Sequence, residues 1–135
     1  MTITEFRDAL FARLLEYTNP NNVFVKWPDQ NNQLPNDVTW IRPTINHNSG
    51  GQHSLGGPDG QKRWKRSGFV IIQVFSPVAQ GRDDGYRVAQ DLVNLLQSWK
   101  HGCIWFRNIA FMEAGADGAF TQTNVSAIFQ YDDIG

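Results

Sequence analysis

The side chains with the types and spacing for chemistry are three histidines, one basic run, two acidic pairs and a single cysteine, in a chain of 135 residues. His47 and His53 share a glycine-rich stretch, and His101 lies far along the chain. Zinc ligands normally pair across a tight turn or along a helix face, in the company of cysteine or carboxylate. Here the nearest acid is Asp59, so the spacing argues against a metal. The glycines show neither Gly-x-x-x-x-Gly-Lys-Ser/Thr nor Gly-x-Gly-x-x-Gly, and they lead into a strand, with no helix N-terminus to bind an anion. Serine and histidine occur without a nucleophile elbow. Cys103 lies among Ile104, Trp105 and Phe106, as a small buried hydrophobe would, and a lone cysteine forms no internal disulfide. No catalytic residue, metal or cofactor is expected.

The acids Asp83-Asp84 and Asp132-Asp133 read as the dipole-favoured start of a helix and a solvated tail, rather than as a general acid and base. The run Lys62-Arg63-Trp64-Lys65-Arg66 carries two readings. Cations around an aromatic grip a single-stranded nucleic acid by backbone charge and base stacking. On a strand, however, Lys62, Trp64 and Arg66 fall on one face and Arg63 and Lys65 on the other. That pattern suits an edge kept soluble by charge, or a rim that meets acids on a neighbouring molecule. The net charge of −1 gives the chain no general bias toward nucleic acid or membrane.

These residues are positioned by elements organised around Ser67 to Trp99. Phe69-Val70-Ile71-Ile72-Gln73-Val74-Phe75 puts Val70, Ile72 and Val74 on one face and Phe69, Ile71 and Phe75 on the other. Both faces are apolar, so this strand belongs at the centre of a sheet, with helices on one side and a second layer or another subunit on the other. Pro77 ends it. A helix follows with Val88, Ala89, Leu92, Val93, Leu95, Leu96 and Trp99 at spacings of three and four, stopping at His101 and Gly102.

Upstream, Thr2 and Glu5 form a capping box, and Ile3, Phe6, Leu10, Leu14 and Tyr17 follow helical spacing until Asn19-Pro20-Asn21-Asn22 stops the helix. Val23 to Trp27 and Val38 to Ile45 read as strands. Residues 46–61, with little to bury, read as a long flexible loop at the tip of a hairpin. Two further strands, Ile104 to Glu113 and Ala119 to Tyr131, are joined through Ala114-Gly115-Ala116-Asp117-Gly118. In the last, Val125, Ala127, Phe129 and Tyr131 face one way and Gln122, Asn124, Ser126 and Gln130 the other. The expected fold is α+β: one domain over residues 1–135, with a mainly antiparallel, mixed β-sheet packed by two α-helices. The opening Met1 to Phe6 has no basic leader or apolar signal core, and no run reaches membrane-spanning length. A soluble protein made in a cytoplasm is expected.

The whole order resembles the tail terminator and tail completion proteins of long-tailed bacteriophages. The likeness is carried by the N-terminal helix, the glycine-rich excursion, the strand Gly68 to Phe75, a proline and Gly81 before the helix ending near Trp99, and the hairpin closing in Phe129-Gln130-Tyr131. It implies a structural phage or prophage subunit with no enzymatic activity. It also implies a homo-oligomeric, hexameric ring at the head-proximal end of the tail in the virion, which ends tube polymerisation. The implied partners are the tail tube protein and a head-tail connector, without membrane or specific nucleic acid. The candidate interface residues are Lys62, Arg63, Lys65 and Arg66, with Asp83 and Asp84 as opposite charges across a subunit boundary. Another head-tail joining subunit and a single-stranded nucleic-acid module are the alternatives.

Overall fold

The computed structural model describes residues 1–27, 38–52, 63–78, 83–118 and 120–134. The first helix, α1 (Ile3–Asn21), starts at a reciprocal cap: Thr2 Oγ1 accepts the Glu5 amide at 3.1 Å and Glu5 Oε1 accepts the Thr2 amide at 3.3 Å. It runs through Pro20 and ends where Asn22 turns left-handed, at φ 59°. Asparagine tolerates that conformation, so Asn22 and not the proline stops the helix. Phe6, Leu10, Leu14 and Thr18 recur every fourth residue and are buried.

Among the described residues five strands follow: β1 (Phe24–Val25), β2 (Trp40–Gln52), β3 (Arg63–Pro77), β4 (Trp105–Asp117) and β5 (Phe120–Ile134), with α2 (Asp83–Gln97) between β3 and β4. Their spatial order is β1-β2-β3-β5-β4. Among the described residues only β1 and β2 run parallel. The chain is therefore the expected α+β domain, with a mixed sheet and β3 at its centre.

Several element limits differ from the sequence reading. β1 keeps only two of the five residues expected. β2 does not end at Ile45: it continues through Asn46 to Gln52, pairing Gln52 with Trp64 of β3. Backbone pairing, indifferent to side-chain polarity, carries these polar residues, so they are strand and not loop. Residues 53–62 of the expected loop lie outside the described residues. Gly115 (φ 85°) belongs to a bulge of β4, and the turn to β5 is the shorter one at Gly118 (φ 63°). α2 ends at Gln97, ahead of Gly102.

Both helices bury their apolar stripes on one face of the sheet. Phe6, Leu10 and Leu14 of α1 and Val88, Ala89, Leu92 and Leu96 of α2 join Ile41, Val70, Ile72, Val74, Val125, Ala127 and Phe129 in one core. The other face is uneven. Phe69, Ile71 and Ile128 are half-buried there, while Trp40 stacks on Phe75 at 4.1 Å, with the Phe120 ring edge-on to Trp40 and the Arg42 guanidinium over Phe75.

One position controls how closely β2 and β3 approach. A Cβ on Gly68 would stand 1.9 Å from the Asn46 carbonyl oxygen and 2.8 Å from His47 Cα, beside the bulge between His47 and Ser49. Gly68 opposes His47 on one side and Phe129 on the other. Its missing side chain leaves room for His47 Nε2 to reach the Tyr131 hydroxyl at 2.8 Å. Phe6 caps the gap, stacked on Phe129 at 4.4 Å and on Tyr131 at 4.6 Å.

Gly68→Ala is expected to destabilise the fold by about 3 kcal/mol, since the methyl meets backbone that can only move by separating the strands. Gly102→Ala, at φ 57° with open space around it, should cost only the left-handed penalty of about 1 kcal/mol. Urea unfolding of the two variants checks the order, and equal losses would contradict it.

Candidate interaction surface

The charged residues singled out in the sequence fall at opposite ends of the central sheet. The basic run begins β3. Arg63 opens the strand opposite Ile134, and Lys65 and Arg66 oppose Asp132 and Tyr131; Lys62 lies outside the described residues. The acids Asp132 and Asp133 are therefore part of β5 rather than a solvated tail. Arg66 Nε lies 3.6 Å from Asp133 Oδ2, so part of the run is answered within the chain. Trp64 sits in the same ladder, opposite Asp133 and Gln52. Acids directly beside this aromatic oppose a nucleic-acid backbone.

Asp83 and Asp84 begin α2 at the other end of β3. Gly85 lets the helix start lie close on the strand, since a Cβ there would stand 3.2 Å from Ser76 Cβ, a tight contact. About ten strand residues separate Arg66 from Ser76, roughly 33 Å at a rise of about 3.3 Å each. The two acids differ in duty. Asp84 accepts a hydrogen bond from the Thr39 hydroxyl and one from Arg87 Nη2 at 2.6 Å, which hold its carboxyl below the usual range. Arg87 also lies 3.9 Å from Asp91, and Asp91 accepts the Tyr17 hydroxyl of α1 at 2.8 Å. Burial, with Asp91 beside it, pushes the Tyr17 phenol up. This chain of bonds ties β2, α2 and α1 together, so Asp84 is a strut. Asp83 is exposed and makes no ion pair among the described residues.

Beside Asp83 an open groove of about 540 Å³ runs between α2 and β4, lined by Asp83, Tyr86, Arg87, Gln90, Phe111 and Glu113. Tyr86 donates to Glu113 Oε1 at 2.8 Å across its width. Phe111 is 52% exposed, and Trp105 and Met112 on the same strand are 71% and 68% exposed. β4 is the last strand of the sheet among the described residues; two register shifts and the charges of Arg107 and Glu113 interrupt its edge, devices that limit further strand pairing. The sequence reading missed this edge. Its signal was apolar side chains on both alternation sets of a strand with no further strand to cover it.

The histidines do not converge. His47 is held by Tyr131, Phe6 and Phe129, His101 stacks on Trp99 at 5.5 Å, and His53 lies outside the described residues. No group of three metal-ligating side chains occurs among the described residues. Cys103 is partly buried, its thiol directed at the Asp132 carbonyl at 3.4 Å. No described helix is long and apolar enough to cross a membrane.

His47 is the titrating group of this region. Burial first, and the charge of Arg66 second, hold its imidazole below the ordinary 6.5, while burial pushes the Tyr131 phenol up to about 12. The fold thus favours neutral His47. Its contribution to stability is complete above about pH 6.5 and is lost as pH falls through the lower folded value. Asp84 behaves likewise in a separate window, below the ordinary 3.8. The thermal midpoint is expected to drop between pH 7.5 and pH 5, and His47→Gln, which still accepts from Tyr131, should flatten that slope. A variant retaining the wild-type slope would show that the proton binds elsewhere.

A family model described as phage tail terminator protein matches residues 5–101. No curated protein matches the chain. Among solved structures, one chain superposes with a TM-score of 0.70 over 100% of this chain and 99% of its own length, at 17% identity. At that identity the likeness shows the fold, including the β4–β5 hairpin that the family match leaves out.

Proposed function

The chain belongs to the phage tail terminator family, and from that premise we propose that it assembles as a closed ring, expected to be hexameric, which caps the head-proximal end of the tail tube. A phage tail structural role follows from the family itself. The finer role is to stop tube polymerisation and offer a different surface to the head connector, with no catalytic step and no cofactor. Copies would assemble in the host bacterial cytoplasm and remain in the virion tail.

The single observation that carries the reading is the match from Glu5 to His101, spanning the helix, the hairpin, the central strand and the second helix. Two features support it physically. Among the described residues the sheet has helices on one face only, with Phe69, Ile71 and Ile128 half-buried on the other, and its last strand exposes Trp105, Phe111 and Met112. Apolar side chains on a free edge are what subunit association covers. A ring also fits the task. Subunits that use one surface around the circle and another along the axis close on themselves and end a helical stack.

Light scattering over a concentration series, with negative-stain imaging of the heaviest species, tests the ring; annular particles of fixed stoichiometry are expected. Added to polymerising tail tube protein, the chain should shorten the tubes and sit at one end of each. Tubes of unchanged length, bare at both ends, would sink the proposal.

A further inference from the structure

We propose that two copies of this chain pair across a two-fold axis, the outer stripe of α2 in one lying antiparallel against the same stripe in the other. In this contact Asp83 of each copy faces Lys100 of its partner.

The stripe consists of Asp83, Arg87, Gln90, Asn94 and Gln97, all exposed and spaced by four and three, which keeps them on one side of the helix. Lys100 and His101 continue it just past the helix end and are exposed as well. Beside it runs β4, with Phe111 and Trp105 exposed, and open grooves of about 540 Å³ and about 490 Å³ follow the seam between the two elements. Apolar side chains set along such a seam gain by being covered.

Charge along the stripe selects the occupant. Asp83 at one end and Lys100 at the other make no ion pair among the described residues, whereas Arg87 is held by Asp84 and Asp91 of its own chain. Gln90, Asn94 and Gln97, in between, are neutral. An antiparallel copy therefore sets acid against cation at both ends and no charge on the axis; a parallel copy would set Asp83 against Asp83. The middle is complementary too. Gln90 Nε2 donates to Asn94 Oδ1 at 3.0 Å, which leaves Gln90 Oε1 to accept and Asn94 Nδ2 to donate outward. An axis at the level of Leu92 brings Gln90 of one copy to Asn94 of the other, so that outward donor meets outward acceptor twice. The pair does not rest on the ring reading, because an isologous contact closes at two copies while a ring needs a heterologous one.

Sedimentation equilibrium of the full chain tests the pair; a two-chain species that dissociates on dilution and loosens as salt is raised is expected. Asp83→Lys and Lys100→Asp, each alone, place like charges at both ends and should raise the dissociation constant about tenfold. Mixed one to one they should pair within about twofold of wild type, as should the double variant with itself. Asn94→Glu, at an exposed position inside the helix, puts two acids beside the axis and should weaken pairing while melting stays close to wild type. Circular dichroism and thermal melting report the folding of each variant. Single variants that pair like wild type, a mixture that fails to recover, or a wild-type chain that passes from one copy directly to a ring would overturn the pair, the last leaving the ring reading intact. Pairs in solution with no ring on tube ends would support the contact and overturn the ring.

Discussion

The fold depends on the close approach of two backbones at Gly68. The Asn46 carbonyl occupies the space in which any other residue would place its Cβ, and this lets β2 lie against β3 despite the bulge beside His47. The absent side chain also opens a gap across the central strand. His47 and Tyr131, one strand away on either side, meet over it, and Phe6 covers both. The first turn of α1 is thereby fastened to β2 and β5 at once. The Met1 ammonium, 3.3 Å from the Asp132 carbonyl, adds a further tie at the same end.

A second set of ties holds the opposite end. Thr39, Asp84, Arg87, Asp91 and Tyr17 connect the start of β2 through α2 to α1, and the Gly85–Ser76 contact seats α2 on β3. Fixing the sheet at both ends makes one stiff body of it, with charged groups held about 33 Å apart at opposite ends, the length of ten strand residues. Rigidity of this kind suits the proposed ring, in which each subunit would repeat a fixed angle.

Much of this was legible locally. The capping box of Thr2 and Glu5, the four-residue spacing of Phe6, Leu10 and Leu14, and the alternation of Val125, Ala127, Phe129 and Tyr131 are patterns that a single element writes into its own sequence. What was not legible depends on partners distant in sequence. Asn46 to Gln52 looked like loop because they bury nothing, yet their backbone pairs with β3. Asp132 and Asp133 looked like a tail until β5 placed them beside the basic run. Gly68 was simply the first residue of the strand Gly68 to Phe75, and only the register shows that it opposes His47 and Phe129. The charged residues were all visible, but their division into internal struts and free groups required the fold.

That division bears on how such a subunit associates. Arg66 and Asp84 are each committed to a partner within the chain, so altering them would disturb the body before any contact between bodies. Asp83 and Lys65 stand beside them in sequence, at the same two ends, without ion-pair partners of their own among the described residues. Neighbouring positions thus separate two tasks: one residue holds the end of the sheet in shape, and the next presents a charge from it. A charge held at a place its neighbour has already fixed needs little further ordering on contact, and preorganisation of this kind lowers the entropy cost of association.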